Sequence, residues 1–195
     1  MLEKTLFILV IAFAVPAQAA DTTGTWAIQD LQVANRVQFS LQVTDGGRSN
    51  FQSSSEFDLS QVQGLTTAQM ASPSGMIVRF DIMREAGTFI CEGYFKAGNG
   101  AGTFLFKPSL SFVSQMATLG FSDATEDKLF SMAVHDVGMR YAAEIQAMGL
   151  RVPTASKLIA MKIHGVTPGY VRRIQARWPD VTLDQLISLR IHGID

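Results

Sequence analysis

Gly102-Thr-Phe-Leu-Phe-Lys-Pro-Ser-Leu-Ser-Phe-Val-Ser-Gln-Met116 is the stretch on which the fold turns. Before Pro108, Phe104 and Phe106 alternate with Thr103, Leu105 and Lys107, the two-residue period of a strand. Beyond it, Phe112 and Met116 stand four residues apart, which places both on one face of a helix. The chain therefore changes period at Pro108, and each side can be read outward from that point.

Upstream, the pattern stays strand-like back to Gly24. Thr88 to Lys96 puts Phe89, Cys91, Gly93 and Phe95 on one face, with Ile90, Glu92 and Tyr94 on the other. Met76 to Ile82 is a further strand, joined to it by a turn at Glu85-Ala-Gly87. Arg36 to Val43 alternates strictly, with Val37, Phe39, Leu41 and Val43 together, and Asp45-Gly-Gly47 turns the chain after it. Ser49 to Leu59 is a weaker strand with polar residues on both faces, and Thr25 to Gln29 is the first. The glycines of Gly98-Asn-Gly-Ala-Gly102 read as a turn. A phosphate loop is excluded because strands flank them and no helix N-terminus follows. Six short strands with hairpin-length links predict an antiparallel sheet over residues 21–108.

Downstream, the sequence repeats. Lys128-Leu-Phe-Ser-Met-Ala-Val-His-Asp-Val137, Lys157-Leu-Ile-Ala-Met-Lys-Ile-His-Gly-Val166 and Gln185-Leu-Ile-Ser-Leu-Arg-Ile-His-Gly-Ile194 align at offsets of 29 and 28 residues. Ahead of them come Phe112 with Met116, Tyr141 with Ile145, and Tyr170 with Ile174. Each copy has room for two helices, so residues 109–195 predict three helical hairpins, about 109–137, 138–166 and 167–195. Thr125, Thr154 and Thr182 occupy N-cap positions, and Gly165 and Gly193 stand where a C′ glycine ends a helix. A helix pair cannot bury its apolar face alone, so the three are expected to stack, giving an α+β protein.

The 195 residues carry a net charge of −1, which provides no field for nucleic acid. Residues 1–20 read as a signal peptide: Lys4, an apolar run from Leu6 to Val15, then Ala17-x-Ala19. That run is shorter than the ~20 residues a membrane-crossing helix needs, so no transmembrane segment is expected after cleavage, and the mature protein is expected in the periplasm or outside the cell. The single cysteine, Cys91, cannot form an internal disulfide and reads as a small buried residue. The three histidines, His135, His164 and His192, fall at equivalent positions about one repeat apart, too far apart to share a metal ion. They read instead as helix-terminating residues that bond the last carbonyls.

No motif for hydrolysis, phosphate binding or metal-dependent peptide cleavage is present, and no acid–base pair stands out. Asp81, Glu85 and Glu92 near one hairpin read as solvent-facing. No catalytic residue, cofactor or metal site is therefore expected. The feature left over is a basic surface drawn from Arg151, Lys157, Arg172, Arg173 and Arg177, within a stretch that also holds Arg140 and Lys162 and only Glu144 against them. It suits an acidic protein or an anionic envelope polymer. The competing expectation is a small-molecule carrier with a pocket in the sheet lined by Phe39, Phe89, Phe104 and Phe106.

Gly24-Thr-Trp26, Arg84-Glu-Ala-Gly-Thr-Phe-Ile-Cys-Glu-Gly93, Gly100-x-Gly-x-Phe-x-Phe106 and the ending Leu-Arg-Ile-His-Gly-Ile carry a further reading. Through them nearly all of the mature chain resembles the periplasmic C-terminal regions of antirepressor metallopeptidases of the β-lactam-sensor type. The membrane helices and zinc-peptidase motif of those proteins have no counterpart here. The resemblance thus implies a sensor-like interaction module and no peptidase activity.

Overall fold

The computed structural model describes residues 22–33, 35–45 and 49–194. The expected leader and the turn glycines Gly46 and Gly47 lie outside the described residues. The strands are β1 (Thr22–Val33), β2 (Arg36–Asp45), β3 (Ser49–Asp58), β4 (Val62–Gln63), β5 (Met76–Arg84), β6 (Gly87–Lys96) and β7 (Asn99–Pro108). A short helix, α1 (Thr67–Ala71), precedes β5. Six helices follow the last strand: α2 (Leu110–Thr118), α3 (Glu126–Val134), α4 (Met139–Ala147), α5 (Ala155–Ile163), α6 (Pro168–Arg177) and α7 (Leu183–Ile191). The class is α+β.

All seven strands form one antiparallel sheet in the order β3-β2-β1-β7-β6-β5-β4. Two meanders, β1–β2–β3 and β4–β5–β6–β7, are joined where β1 pairs with β7. One face of this sheet is the core side. Pairing brings Trp26 opposite Leu41 and Gly102, Ile28 opposite Phe39 and Gly100, and Phe104 opposite Cys91. The side chains of Trp26, Phe39, Phe80, Phe89, Phe95, Phe104 and Phe106 are all buried there.

The seven strands differ from the expected six short ones in two ways. Five of them run to 10 or 12 residues. The additional β4 is a two-residue edge piece pairing Val62 with Ile82, too short for any periodicity to reveal. Helix α1 was likewise not expected, although Thr66-Thr-Ala-Gln69 forms a capping box that a sequence can display.

The glycine cluster is also corrected. Only Ala97 and Gly98 make the turn, both at positive φ, while Gly100 and Gly102 lie inside β7. Their role is to leave room. A Cβ on Gly100 would fall 2.6 Å from the Phe95 ring, and one on Gly93 would fall 2.6 Å from Trp26. Trp26 lies across this bare backbone, edge-on to Phe80 at 5.0 Å, and its indole N–H donates to the Glu92 carbonyl at 3.2 Å.

Edge strand β3 turns Phe51, Ser53, Ser55 and Phe57 toward the same side as Val43, Leu41, Phe39 and Val37 of β2. The serines explain why its sequence reads as polar on both faces. Helix α3 packs over this side of the sheet. Phe130 enters among four rings, with centroids 5.3 Å from Phe51, 5.8 Å from Phe89, 6.1 Å from Phe104 and 5.3 Å from Phe106. Sheet and helices thereby share one continuous cluster of buried apolar residues, from Trp26 to Leu186.

The turn between β5 and β6 makes a second junction. Glu85 accepts a hydrogen bond from the Met139 N–H at 2.9 Å, at the start of α4. Glu85 is exposed, as expected, and its carboxylate also engages a helix terminus. Beside it, the largely covered Arg84 guanidinium lies 3.5 Å from Asp136, and Lys162 of α5 reaches the other Asp136 oxygen at 3.8 Å. Asp136 holds φ at +52° where the later helices have Gly165 and Gly193, so one residue ends α3 and links sheet to helix. An aspartate tolerates this backbone region better than most side chains.

Candidate functional site

The helices end and begin as the sequence suggests at most positions. Thr154, Thr167 and Thr182 accept hydrogen bonds from backbone N–H groups three residues on, at Lys157, Tyr170 and Gln185. Thr125 occupies its N-cap position without such a bond and donates instead to the Asp127 carboxylate. Gly120, Gly149, Gly165 and Gly193 adopt the left-handed conformation just past α2, α4, α5 and α7.

Among helices α2–α7 and the links between them, similar types of contact recur. Gln146 donates its side-chain N–H to the Leu119 carbonyl at 2.7 Å, and Gln175 donates to the Met148 carbonyl at 3.2 Å. The Ala155 N–H, first in α5, donates to the Asp123 carboxylate at 2.9 Å. Lys157 forms an ion pair with Asp184 near the start of α7. Within pairs, the Tyr141 hydroxyl donates to the Val166 carbonyl at 2.7 Å and the Tyr170 hydroxyl to the Ile194 carbonyl at 2.9 Å. Burial pushes the Tyr141 hydroxyl well above its ordinary pKa, so it stays protonated as a donor. Burial opposes ionisation of Asp123, but hydrogen bonds from Lys128 and Ala155 outweigh it and hold that carboxyl below its ordinary range.

The basic residues divide. Lys157 is committed to Asp184, Lys162 to Asp136 and to the Tyr141 ring 4.8 Å away, and Arg140 to Glu144 at 3.0 Å. Arg173 lies 5.9 Å over the Tyr170 ring. Arg151, Arg172, Arg173 and Arg177 are exposed, and Arg172, Arg173 and Arg177 share α6. Sequence reasoning missed that Lys157 serves as a brace between helix pairs, because its acidic partner lies 27 residues downstream.

Arg177 leads into a groove of about 500 Å3 along the α6–α7 corner and the outer side of α7. Trp178, Asp180, Val181, Gln185 and Leu189 line it with Arg177. Trp178 is 47 % exposed, a large area for an indole. Nothing in the hydrophobic periodicity singled it out, because the α6–α7 link departs from the spacing of the earlier copies.

The other candidate residues are placed as follows. Phe39, Phe89, Phe104 and Phe106 are buried, and the cavity beside Phe39 and Phe89 measures about 20 Å3. That is room for about one water molecule. Open clefts also run past Phe106 with Phe130, about 750 Å3, and past Phe104, about 580 Å3. Burial, aided by the Asp81 carboxylate, pushes the Cys91 thiol up to about 12, which leaves no reactive thiolate near neutral pH. Of the histidines, His192 donates from Nδ1 to the Ser188 carbonyl at 2.7 Å, in keeping with helix termination. His135 is half-buried near the Phe51 ring, and burial lowers its pKa, whereas His164 is exposed. Among the described residues no group of three or more His, Cys, Asp or Glu side chains could hold a metal, and no helix is long and apolar enough to cross a membrane.

The fold and surface together define an α+β protein with a groove at the α6–α7 corner of its helical side. No protein-family model matches the chain, and no curated protein or solved structure is significantly similar to it.

Proposed function

We propose that this chain is an exported, non-catalytic recognition module of the bacterial periplasm or envelope, in which three helical-hairpin units present the binding surface. The sensor-like resemblance is part of this proposal. The observation that carries it is the groove at the α6–α7 corner, where the half-exposed indole of Trp178 adjoins a helix that displays Arg172, Arg173 and Arg177. An exposed aromatic ring beside arginines is the composition that dominates protein-binding hot spots. Recurring bonds at Gln146 and Gln175 support the repeating-unit reading, since each joins equivalent places in consecutive pairs. Stacked helix pairs form extended faces suited to binding another macromolecule.

A protein partner is favoured over an anionic polymer because the groove combines apolar walls with both signs of charge, Arg177 and Asp180. The test is affinity capture from envelope extract with the wild-type chain and with an Arg172→Glu/Arg173→Glu variant, read by mass spectrometry. One dominant protein lost in the variant supports the reading. Identical capture by both, or capture of nothing above background, overturns it.

A further inference from the structure

Three equivalent pairs of positions follow the alignment of the helical half: Met132 with Val137, Met161 with Val166, and Leu189 with Ile194. The first two pairs are fully or almost fully buried. Ile194, by contrast, is 42 % exposed, and Leu189 is only partly covered and forms a wall of the α6–α7 groove. The third unit therefore displays a face that its predecessors bury. What lies over the matching region of the first two units is visible in their hydrogen bonds. Gln146, at the end of α4, reaches the Leu119 carbonyl, and Ala155, at the start of α5, reaches Asp123. Gln175, at the end of α6, reaches the Met148 carbonyl, and Asp184, at the start of α7, reaches Lys157. In each case the cover is the corner between the two helices of the following pair.

Resting on the repeating-hairpin reading above, we infer that the α6–α7 groove receives the corner of another helical hairpin of this same class, carried by a partner protein. Its first helix carries Tyr-x-x-x-Ile-Gln-Ala, the pattern shared by Tyr141–Ala147 and Tyr170–Ala176. The aromatic and Ile residues close that hairpin on itself, and the Gln extends to the carbonyl at the end of the preceding first helix. Asp180 adds a second point of recognition. It stands two residues before the N-cap Thr182, as Asp123 stands two before Thr125. Asp123 takes the N-terminus of the next unit's second helix, where a carboxylate complements the helix dipole. Asp180 lines the groove in the place to do the same.

The probe is a synthetic peptide of residues 138–166, which contains no tryptophan, titrated into the full-length protein while Trp178 fluorescence is followed. A saturable blue shift is expected, because docking covers an exposed indole. Gln146→Ala in the peptide is expected to weaken binding about tenfold, the loss of one well-formed bond at a desolvated site. Ser188→Arg in the protein places bulk on an exposed groove position without touching the core and is expected to weaken it at least as much. Leu189→Asp, with its fold checked by circular dichroism, is a second block. No shift at millimolar peptide, or a shift indifferent to Gln146→Ala and Ser188→Arg, overturns the inference. So does concentration-dependent self-association abolished by Ser188→Arg, which would assign the groove to a second copy of this chain. If the peptide fails while capture still depends on Arg172 and Arg173, the recognition reading survives and only the groove assignment falls.

Discussion

Glu85 sits in a strand turn, yet its carboxylate serves a helix that begins 54 residues later. The N-cap of α4 is Gly138, which has no side chain to offer the first free N–H groups, and Glu85 supplies the missing acceptor from another element. Glu85→Ala should lower stability by about 1 kcal/mol, the usual worth of a cap at an exposed helix end. Gly138 permits a sharper test. A Cβ there would fall 2.5 Å from the Glu85 carboxylate, the free end of an exposed side chain. Gly138→Ser should therefore displace it and exchange one cap for another, leaving wild-type stability little changed. In the Glu85→Ala background the same serine has space and can cap the helix itself, so it should stabilise. Chemical denaturation of the four proteins checks this dependence on background. Additive effects would show that Glu85 and a serine at 138 do not serve the same helix terminus.

Within the sheet, the backbone is kept bare where aromatic rings lie across it. Gly93→Ala would set a methyl group 2.6 Å from Trp26 and 2.3 Å from the Ala101 carbonyl, and neither the buried indole nor the paired strand can withdraw. A loss of about 1–3 kcal/mol is expected, with a changed near-ultraviolet signal from Trp26, and an unchanged thermal midpoint would refute the packing argument. The same rings explain what could be read in advance. Alternation identified the buried face of β2, β6 and β7, because aromatic and aliphatic residues at every second position have one physical reading. Beyond Pro108, helices α3, α5 and α7 were legible through the threonines at their N-caps and, for α5 and α7, the glycines that follow them. Edge elements were less so: β3 reads as only a weak strand because phenylalanine alternates with serine on its core side, and β4 has only two residues. The glycines of β7 read as a turn because a glycine that makes room for Phe95 looks, in a sequence, like one that bends the chain. The groove at Trp178 was illegible for a related reason. It is defined by what fails to cover a periodic apolar position, and periodicity reports only that the position is apolar.

At the scale of the molecule, sheet and helical segment meet through Phe130, whose ring contacts Phe89, Phe104 and Phe106 of β6 and β7 and Phe51 of β3. A contact surface of this kind, reinforced by Glu85 at Met139 and Asp136 between Arg84 and Lys162, couples the two parts energetically. Neither can lose its packing without exposing aromatic surface of the other. The chain should therefore unfold as one cooperative unit. Its two tryptophans make this measurable, since Trp26 lies in the sheet and Trp178 at the helical corner. In a Trp178→Phe variant the remaining fluorescence reports the sheet alone, while circular dichroism at about 222 nm is dominated by helices α2–α7 with their regular backbone ladders. The two denaturant curves should coincide. Phe130→Ala should shift both midpoints down together by about 3 kcal/mol, through lost burial and the cavity left among four rings. Curves that separate, or a Phe130→Ala effect confined to the fluorescence transition, would mean that the sheet and the helical array are independent folding units that merely touch.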